Sequence, residues 1–263
     1  MKKRLDVILV ERNLFPSREK ARTAIMTGRV ILHGQKEMKA GTMIAEDTEI
    51  EIIGHDLPYV SRGGLKLEKA VKAFALDMKD KTVIDIGAST GGFTDCSLQN
   101  GAKKVYAVDV GYGQLAWSLR SDDRVIVLEK VNARYLSEEH VPEQADYIVM
   151  DASFISLKKL IPPLIPFLKD DGAFVSLIKP QFEAGKEKVG KKGVVRDPAV
   201  HKEVIEDLLA FFASCGLFVK ELTFSPIKGP EGNREYLVML VKEDPSAELP
   251  SVDALVMRAF DEI

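Results

Sequence analysis

The chain has 263 residues, 46% of them hydrophobic and 29% charged, with a formal net charge of −3. That balance excludes wholesale disorder, and no stretch approaches the roughly 18 consecutive apolar residues of a membrane-spanning helix. Two cysteines, Cys96 and Cys215, and four scattered histidines support neither a disulfide framework nor a metal cluster.

The basic residues near Met1 are followed by Asp6 and Glu11 rather than by the apolar core of a signal peptide, so a cytoplasmic protein is expected. Charge is unevenly spread. Residues 1–36 carry nine basic side chains against three acidic ones, a segment of +6 that leaves −9 for residues 37–263. A basic head on an acidic body points to a localised polyanion contact, with a solvated helix face as the competing reading.

In chain order, Leu5, Ile8, Leu9 and Arg12 fall at helical spacing over 5–13. Pro16-Ser17 breaks this helix, and Ser17 can cap a second one over 18–27 with Ala21, Ala24 and Ile25 on its inner face. Gly28 stops that helix; a short strand at 30–32, a turn at 33–36 and an alternating strand at 48–53 follow. Two short helices, the second basic, then Gly-Arg-Val-Ile-Leu-His-Gly and a returning strand resemble the alpha-L RNA-binding motif over about residues 4–54. The resemblance implies a small α+β domain whose basic residues, Arg4, Arg18, Lys20, Arg22 and Lys36, touch the phosphates and shape of structured RNA.

Gly54-His55-Asp56-Leu57-Pro58 is a turn-rich break, which sets the expected domains at 1–58 and 59–263. Beyond it strands and helices alternate. Strands are expected near 82–86, 104–109, 125–128, 146–150, 173–178, 218–224 and 236–241. Helices are expected near 64–76, 92–100, 114–120, 153–168 and 198–214, the fourth interrupted or kinked by Pro162, Pro163 and Pro166. This alternation predicts an α/β, Rossmann-like, mainly parallel seven-stranded sheet.

Thr82–Ile86 runs into Gly87-Ala88-Ser89-Thr90-Gly91-Gly92-Phe93, a glycine turn at the mouth of a helix. About twenty residues on, a second strand ends in Asp109, placed to bind ribose hydroxyls. The Gly-x-x-x-Gly-Gly spacing fits a dinucleotide site poorly, and Asp85 inside the strand suits the amino-acid end of S-adenosylmethionine. The pattern looks like the first motif of class I methyltransferases. The expected cofactor residues are therefore Asp85, Gly87, Ala88, Ser89, Gly91, Gly92, Phe93 and Asp109, with Asn132 a candidate on the adenine side.

Lys66, Asp151, Lys179 and Glu235 all fall at ends of expected elements facing one edge of the sheet. A surface ion pair would explain any one of them; the four in this order resemble the tetrad of FtsJ-like ribose 2′-O-methyltransferases. Together with Ser-Arg-Gly-Gly-Leu-Lys-Leu, Lys-Pro-Gln-Phe-Glu and Gly-Asn-Arg-Glu-Tyr, the whole chain is similar to the TlyA family, whose members often carry the name hemolysin. The resemblance implies catalytic roles for the tetrad, RNA contact at Arg62, and methylation of cytidine 2′-hydroxyls in ribosomal RNA. Residue chemistry agrees. The segment after the fourth strand reads Asp151-Ala152-Ser153-Phe154 rather than the Pro-Pro-aromatic loop of amino-group methylation, and no cysteine lies at a strand end for carbon-5 chemistry. A non-catalytic RNA-binding factor and a membrane-active hemolysin are the alternatives from other classes.

Overall fold

The computed structural model describes residues 2–53, 57–246 and 248–263. It divides into two compact units, Met1–Arg62 and Gly63–Ile263. Gly54, His55 and Asp56, the start of the break read as the domain boundary, lie outside the described residues.

The first unit contains β1 (Lys2–Arg4), α1 (Leu5–Glu11), α2 (Arg18–Met26), β2 (Val30–Leu32), β3 (Gln35–Lys36), β4 (Met43–Ala45) and β5 (Ile50–Ile52). Ser17 caps α2 by accepting from the Lys20 amide at 3.3 Å. The turn between β2 and β3 has two residues, His33 and Gly34, both with positive φ (51° and 76°), the geometry that closes a tight hairpin. β2 lies between β3 and β5, while β1 pairs separately with β4. Leu5, Ile8, Leu9, Phe15, Ala24 and Ile25 form a small core of their own. β1 and β4 carry no alternation long enough to be read from the sequence, and neither was expected.

The second unit holds a seven-stranded sheet. Its strands are β6 (Thr82–Ile86), β7 (Lys104–Asp109), β8 (Val125–Glu129), β9 (Ala145–Met150), β10 (Leu168–Ile178), β11 (Phe218–Phe224) and β12 (Tyr236–Val241). Their order is β11-β12-β10-β9-β6-β7-β8. The pairs between β10, β9, β6, β7 and β8 are parallel, and β12 alone runs against its neighbours β10 and β11. β6 is buried at every position, which is why it reads as a continuous Thr-Val-Ile-Asp-Ile run rather than an alternating one.

The helices are α3 (Gly63–Ala73), α4 (Gly92–Gln99), α5 (Trp117–Arg120), α6 (Leu157–Leu164), α7 (Pro180–Glu183), α8 (Pro198–Ser214) and α9 (Val252–Glu262). The helix expected over 153–168 is shorter. Phe154 sits at φ 64°, Ser156 caps the first turn through the Lys158 amide, and Pro162 and Pro163 lie just before the helix gives way to a 3-10 turn at Ile165–Phe167. The freed residues lengthen β10, which begins at Leu168 rather than 173 and has an irregular register before Ala173. α9, which sequence periodicity did not single out, packs Leu255, Val256 and Ala259 into the main core.

Candidate active site

The glycine turn leaves β6 at its carboxyl end. Gly87 has φ 81°, its amide donates to Val108 O at 2.9 Å, and a Cβ there would press on the Asp151–Ala152 backbone at 3.1–3.2 Å. Gly91 caps α4 at φ 100°, where a Cβ would overlap the Leu119 side chain. Both positions demand glycine on two counts, conformation and space. Ala88, Gly92 and Phe93 are buried behind the turn.

Two carboxylates frame this turn. Asp109, at the end of β7, accepts from the Ser89 amide (2.8 Å) and the Gly111 amide (2.6 Å), so it fixes the loops on both sides of it. Asp85 is fully buried; one oxygen accepts from Thr94 Oγ1 at 2.7 Å and the other, Oδ1, has no hydrogen-bond partner. Burial pushes its carboxyl up to about 7, against the pull of the Thr94 hydroxyl and with further upward pressure from the nearby Asp151 charge. An unpartnered buried acceptor at the root of a glycine turn fits the α-ammonium of an amino-acid ligand, and Asp109 fits ribose hydroxyls. These residues suit S-adenosylmethionine. Asn132 is a local cap, its Oδ1 accepting from the Arg134 amide at 3.1 Å.

The four ionisable residues converge. Asp151 follows β9 and Lys179 follows β10, two neighbouring parallel strands ending at the same edge. Glu235 precedes β12. Because β12 is antiparallel to β10, with Tyr236 opposite Ile178, its beginning lies at that edge too. Lys66 enters from the first turn of α3. Lys66 Nζ donates to Glu235 Oε2 at 2.7 Å and to Asp151 Oδ2 at 3.5 Å. Lys179 Nζ lies 2.6 Å from Asp151 Oδ1, a short ion pair off the axis of an aligned hydrogen bond, and donates to Ser153 Oγ at 3.0 Å. The Asp151 carboxylate thus bridges two lysines, one oxygen to each. Burial alone would lower the Lys66 pKa, but the Asp151 and Glu235 carboxylates outweigh it and raise it, so Lys66 is a fixed cation.

Sequence reasoning missed four residues here. Gln181 Nε2 donates to Glu235 Oε1 at 3.3 Å, and Gly229 leaves room for that carboxylate, since a Cβ there would come within 2.8 Å of it. Ser153 touches Lys179, and Glu183 holds the two loops together by accepting from Ser156 Oγ (2.6 Å) and the Leu157 amide (2.8 Å). Gln181 and Glu183 stood inside a string already singled out by its lysine; only the turn of α7 shows which of its polar residues point inward.

Gln181 also lines an open cleft of about 730 Å³ whose other walls include Arg134, Phe154, Lys159, Phe182 and Lys186. Phe154 is 91% exposed, with its ring centroid 5.1 Å from that of Phe182. In the first unit the expected RNA contacts divide into two groups. Arg4 and Arg18 both bind the buried Asp6 carboxylate at 2.9 Å, whereas Lys20, Arg22 and Lys36 are exposed and make no ion pair among the described residues. Arg62 is half-buried. No helix among the described residues is long and apolar enough to cross a membrane.

The chain is similar to known proteins over most of its length. The FtsJ-like methyltransferase family model matches residues 59–242. YqxC of Bacillus subtilis, provisionally named an rRNA methyltransferase, is 50% identical over 99% of this chain and 94% of its own. The 16S/23S rRNA (cytidine-2′-O)-methyltransferase TlyA of Mycobacterium tuberculosis is 40% identical over 98% of this chain and 97% of its own. A solved structure from Streptococcus thermophilus, provisionally named a hemolysin, superposes with a TM-score of 0.77 at 46% identity, covering 99% of this chain and 96% of that one. On these matches the chain belongs to the FtsJ-like methyltransferase family, among the TlyA proteins.

Proposed function

We propose that this protein is an S-adenosylmethionine-dependent methyltransferase that modifies ribose 2′-hydroxyls, those of cytidine, in ribosomal RNA. The observation that carries the reading is the Lys66–Asp151–Lys179–Glu235 cluster, gathered at the strand edge that also holds the glycine turn. Bound on that turn, the cofactor supplies a methyl group on a positively charged sulfur. The ribose hydroxyl is a weak nucleophile and must lose its proton as it attacks. Lys179 is the base in this reading. Lys66 holds the Asp151 and Glu235 carboxylates as a fixed cation, so the second amine meets an already half-neutralised Asp151. Asp85 and Asp109 hold the amino-acid and ribose ends of the cofactor. Gly87, Ala88, Ser89, Gly91, Gly92 and Phe93 form the turn around it.

The cleft beside the tetrad suits RNA: Arg134, Lys159 and Lys186 offer charge to phosphates, and Phe154 offers an exposed ring. Within the first unit, Arg4, Arg18, Lys20, Arg22, Lys36 and Arg62 are the basic residues assigned to RNA contact. Transfer of labelled methyl groups to isolated ribosomal subunits tests the proposal, followed by mapping of nucleotides that resist alkaline cleavage. Methyl groups on bases, or none on RNA, would overturn it.

A further inference from the structure

Lys179 Nζ has three polar neighbours: Asp151 Oδ1 at 2.6 Å, Ser153 Oγ at 3.0 Å and the Asp151 carbonyl oxygen at 3.3 Å. The lysine side chain is 7% exposed, while Ser153 is exposed. Three neighbours suit an ammonium, which has three hydrogens to give. They constrain the neutral amine more tightly. It has two hydrogens and one lone pair, and both Asp151 oxygens can only accept. One hydrogen is therefore held by the Asp151 carbonyl oxygen and the other is drawn by charge toward Oδ1, off the hydrogen-bond axis, which leaves the lone pair facing Ser153. The hydroxyl is the one neighbour that can reverse its role and donate to it.

A proton taken up by Lys179 thus arrives along the Ser153 direction, from the exposed side of a buried amine. We propose that Ser153 is a catalytic residue that relays the ribose proton to Lys179. The proposal rests on the reading of Lys179 as the base. In the step, the 2′-hydroxyl donates to Ser153 Oγ. As the 2′-oxygen bonds to the methyl carbon, the electron pair of the carbon–sulfur bond returns to sulfur. The 2′-O–H bond breaks and a new Oγ–H bond forms; the old Oγ–H bond breaks and an N–H bond forms on Lys179. Serine is regenerated, and the positive charge passes from sulfur to the lysine.

Single-turnover methyl transfer to ribosomal RNA tests this, with cofactor and RNA affinities measured alongside. Ser153→Ala should slow transfer by at least about tenfold with both affinities unchanged. Ser153→Thr, which keeps the hydroxyl, should recover to within a few-fold of the parent. In mixtures of light and heavy water the parent rate should bow with deuterium fraction, as two protons move together, and Ser153→Ala should give a straight line. A Ser153→Ala protein with the parent rate, or with the same bowed curve, would reject the relay. Lys179→Ala run in parallel separates the two readings: if it is nearly inactive while Ser153→Ala is fully active, the base stands and the relay falls. If Lys179→Ala transfers methyl groups at the parent rate, the base assignment itself is wrong.

Discussion

Lys179 and Asp85 show how much a single buried ionisable residue can decide. If Lys179 is the base, Lys179→Ala should bind cofactor and RNA normally yet lose on the order of a hundred- to ten-thousand-fold in single-turnover rate. Lys179→Arg should fail as well, because a guanidinium does not deprotonate in a protein; retained activity would reduce the residue to an electrostatic clamp. Asp85 makes a different prediction. Its folded-state pKa is raised, to about 7 from 3.8, so the folded chain keeps a proton that the unfolded chain releases. Its contribution to stability is fully present below pH 3.8 and is lost as pH rises through about 7. In the cofactor-free protein, Asp85→Asn should gain thermal stability over the parent as pH rises between about 5 and 8. A difference in melting temperature that stays flat across that range would show that the carboxyl is ionised without penalty. The identity of these residues was legible in the sequence, because each ends or interrupts a strand. Their state was not: the missing partner of Asp85 Oδ1 and the shared carboxylate of Asp151 exist only once separate strands meet.

At the scale of elements, β6, β7 and β9 were legible as apolar runs because they are mostly buried on both faces, and periodicity failed where local geometry overrides it. The left-handed Phe154 delays α6, and α9 was missed although its apolar stripe is regular. The loop between α7 and α8 lines the cleft through Gly185, Lys186, Val189, Gly190 and Gly193. Its end is gripped from the Gly-Asn-Arg-Glu-Tyr string: Asn233, 3% exposed, accepts from the Val195 amide at 3.1 Å and donates to Gly193 O at 2.8 Å. Buried His201 completes the grip, with Nε2 donating to Val195 O at 3.0 Å and Nδ1 accepting from the Tyr236 hydroxyl at 2.9 Å. Burial holds its pKa below the ordinary 6.5, which favours the neutral ring and with it this assignment of donor and acceptor. Glu235 lies between Asn233 and Tyr236 in the chain, so the strand that presents a tetrad carboxylate also anchors the loop. Of the loop's four lysines, Lys188 is engaged by Glu203, and Lys186, Lys191 and Lys192 make no ion pair among the described residues. Asn233→Ala leaves the buried Val195 amide unsatisfied, at a cost of about 1–3 kcal/mol. We expect faster hydrogen exchange across residues 185–195 and weaker RNA binding, with cofactor affinity unchanged. Unaltered exchange in that loop would mean that the His201 side of the grip suffices.

For the whole molecule, the charge asymmetry visible in the sequence becomes a sharper statement once ion pairs are assigned. Formal charge alone counts the basic side chains of the head, Arg4, Arg18, Lys20, Arg22 and Lys36 among them, as equally open to a polyanion. Instead, Lys3 pairs with Glu11 and Glu46, Arg4 and Arg18 neutralise Asp6, and Arg12 binds the Thr48 and Glu46 carbonyls. Arg4 and Arg18 remain half-exposed, at 48% and 58%, but each would bind a phosphate in competition with a fully buried carboxylate. Lys20, Arg22 and Lys36 face no such competition. Each phosphate contact contributes about −0.7 to −0.9 to the slope of log affinity against log salt. Replacing Lys20, Arg22 and Lys36 together with glutamine should therefore flatten that slope for ribosomal RNA by about 2 to 3, if each makes one contact. Replacing Arg4 or Arg18 should instead lower the stability of the first unit, because either change leaves Asp6 short of charge in a buried site. Binding titrations across a salt series, paired with thermal melts, distinguish the two classes. A slope unchanged by the triple substitution would move the RNA grip to the second unit, where Arg134, Lys159 and Lys186 line the cleft beside the tetrad.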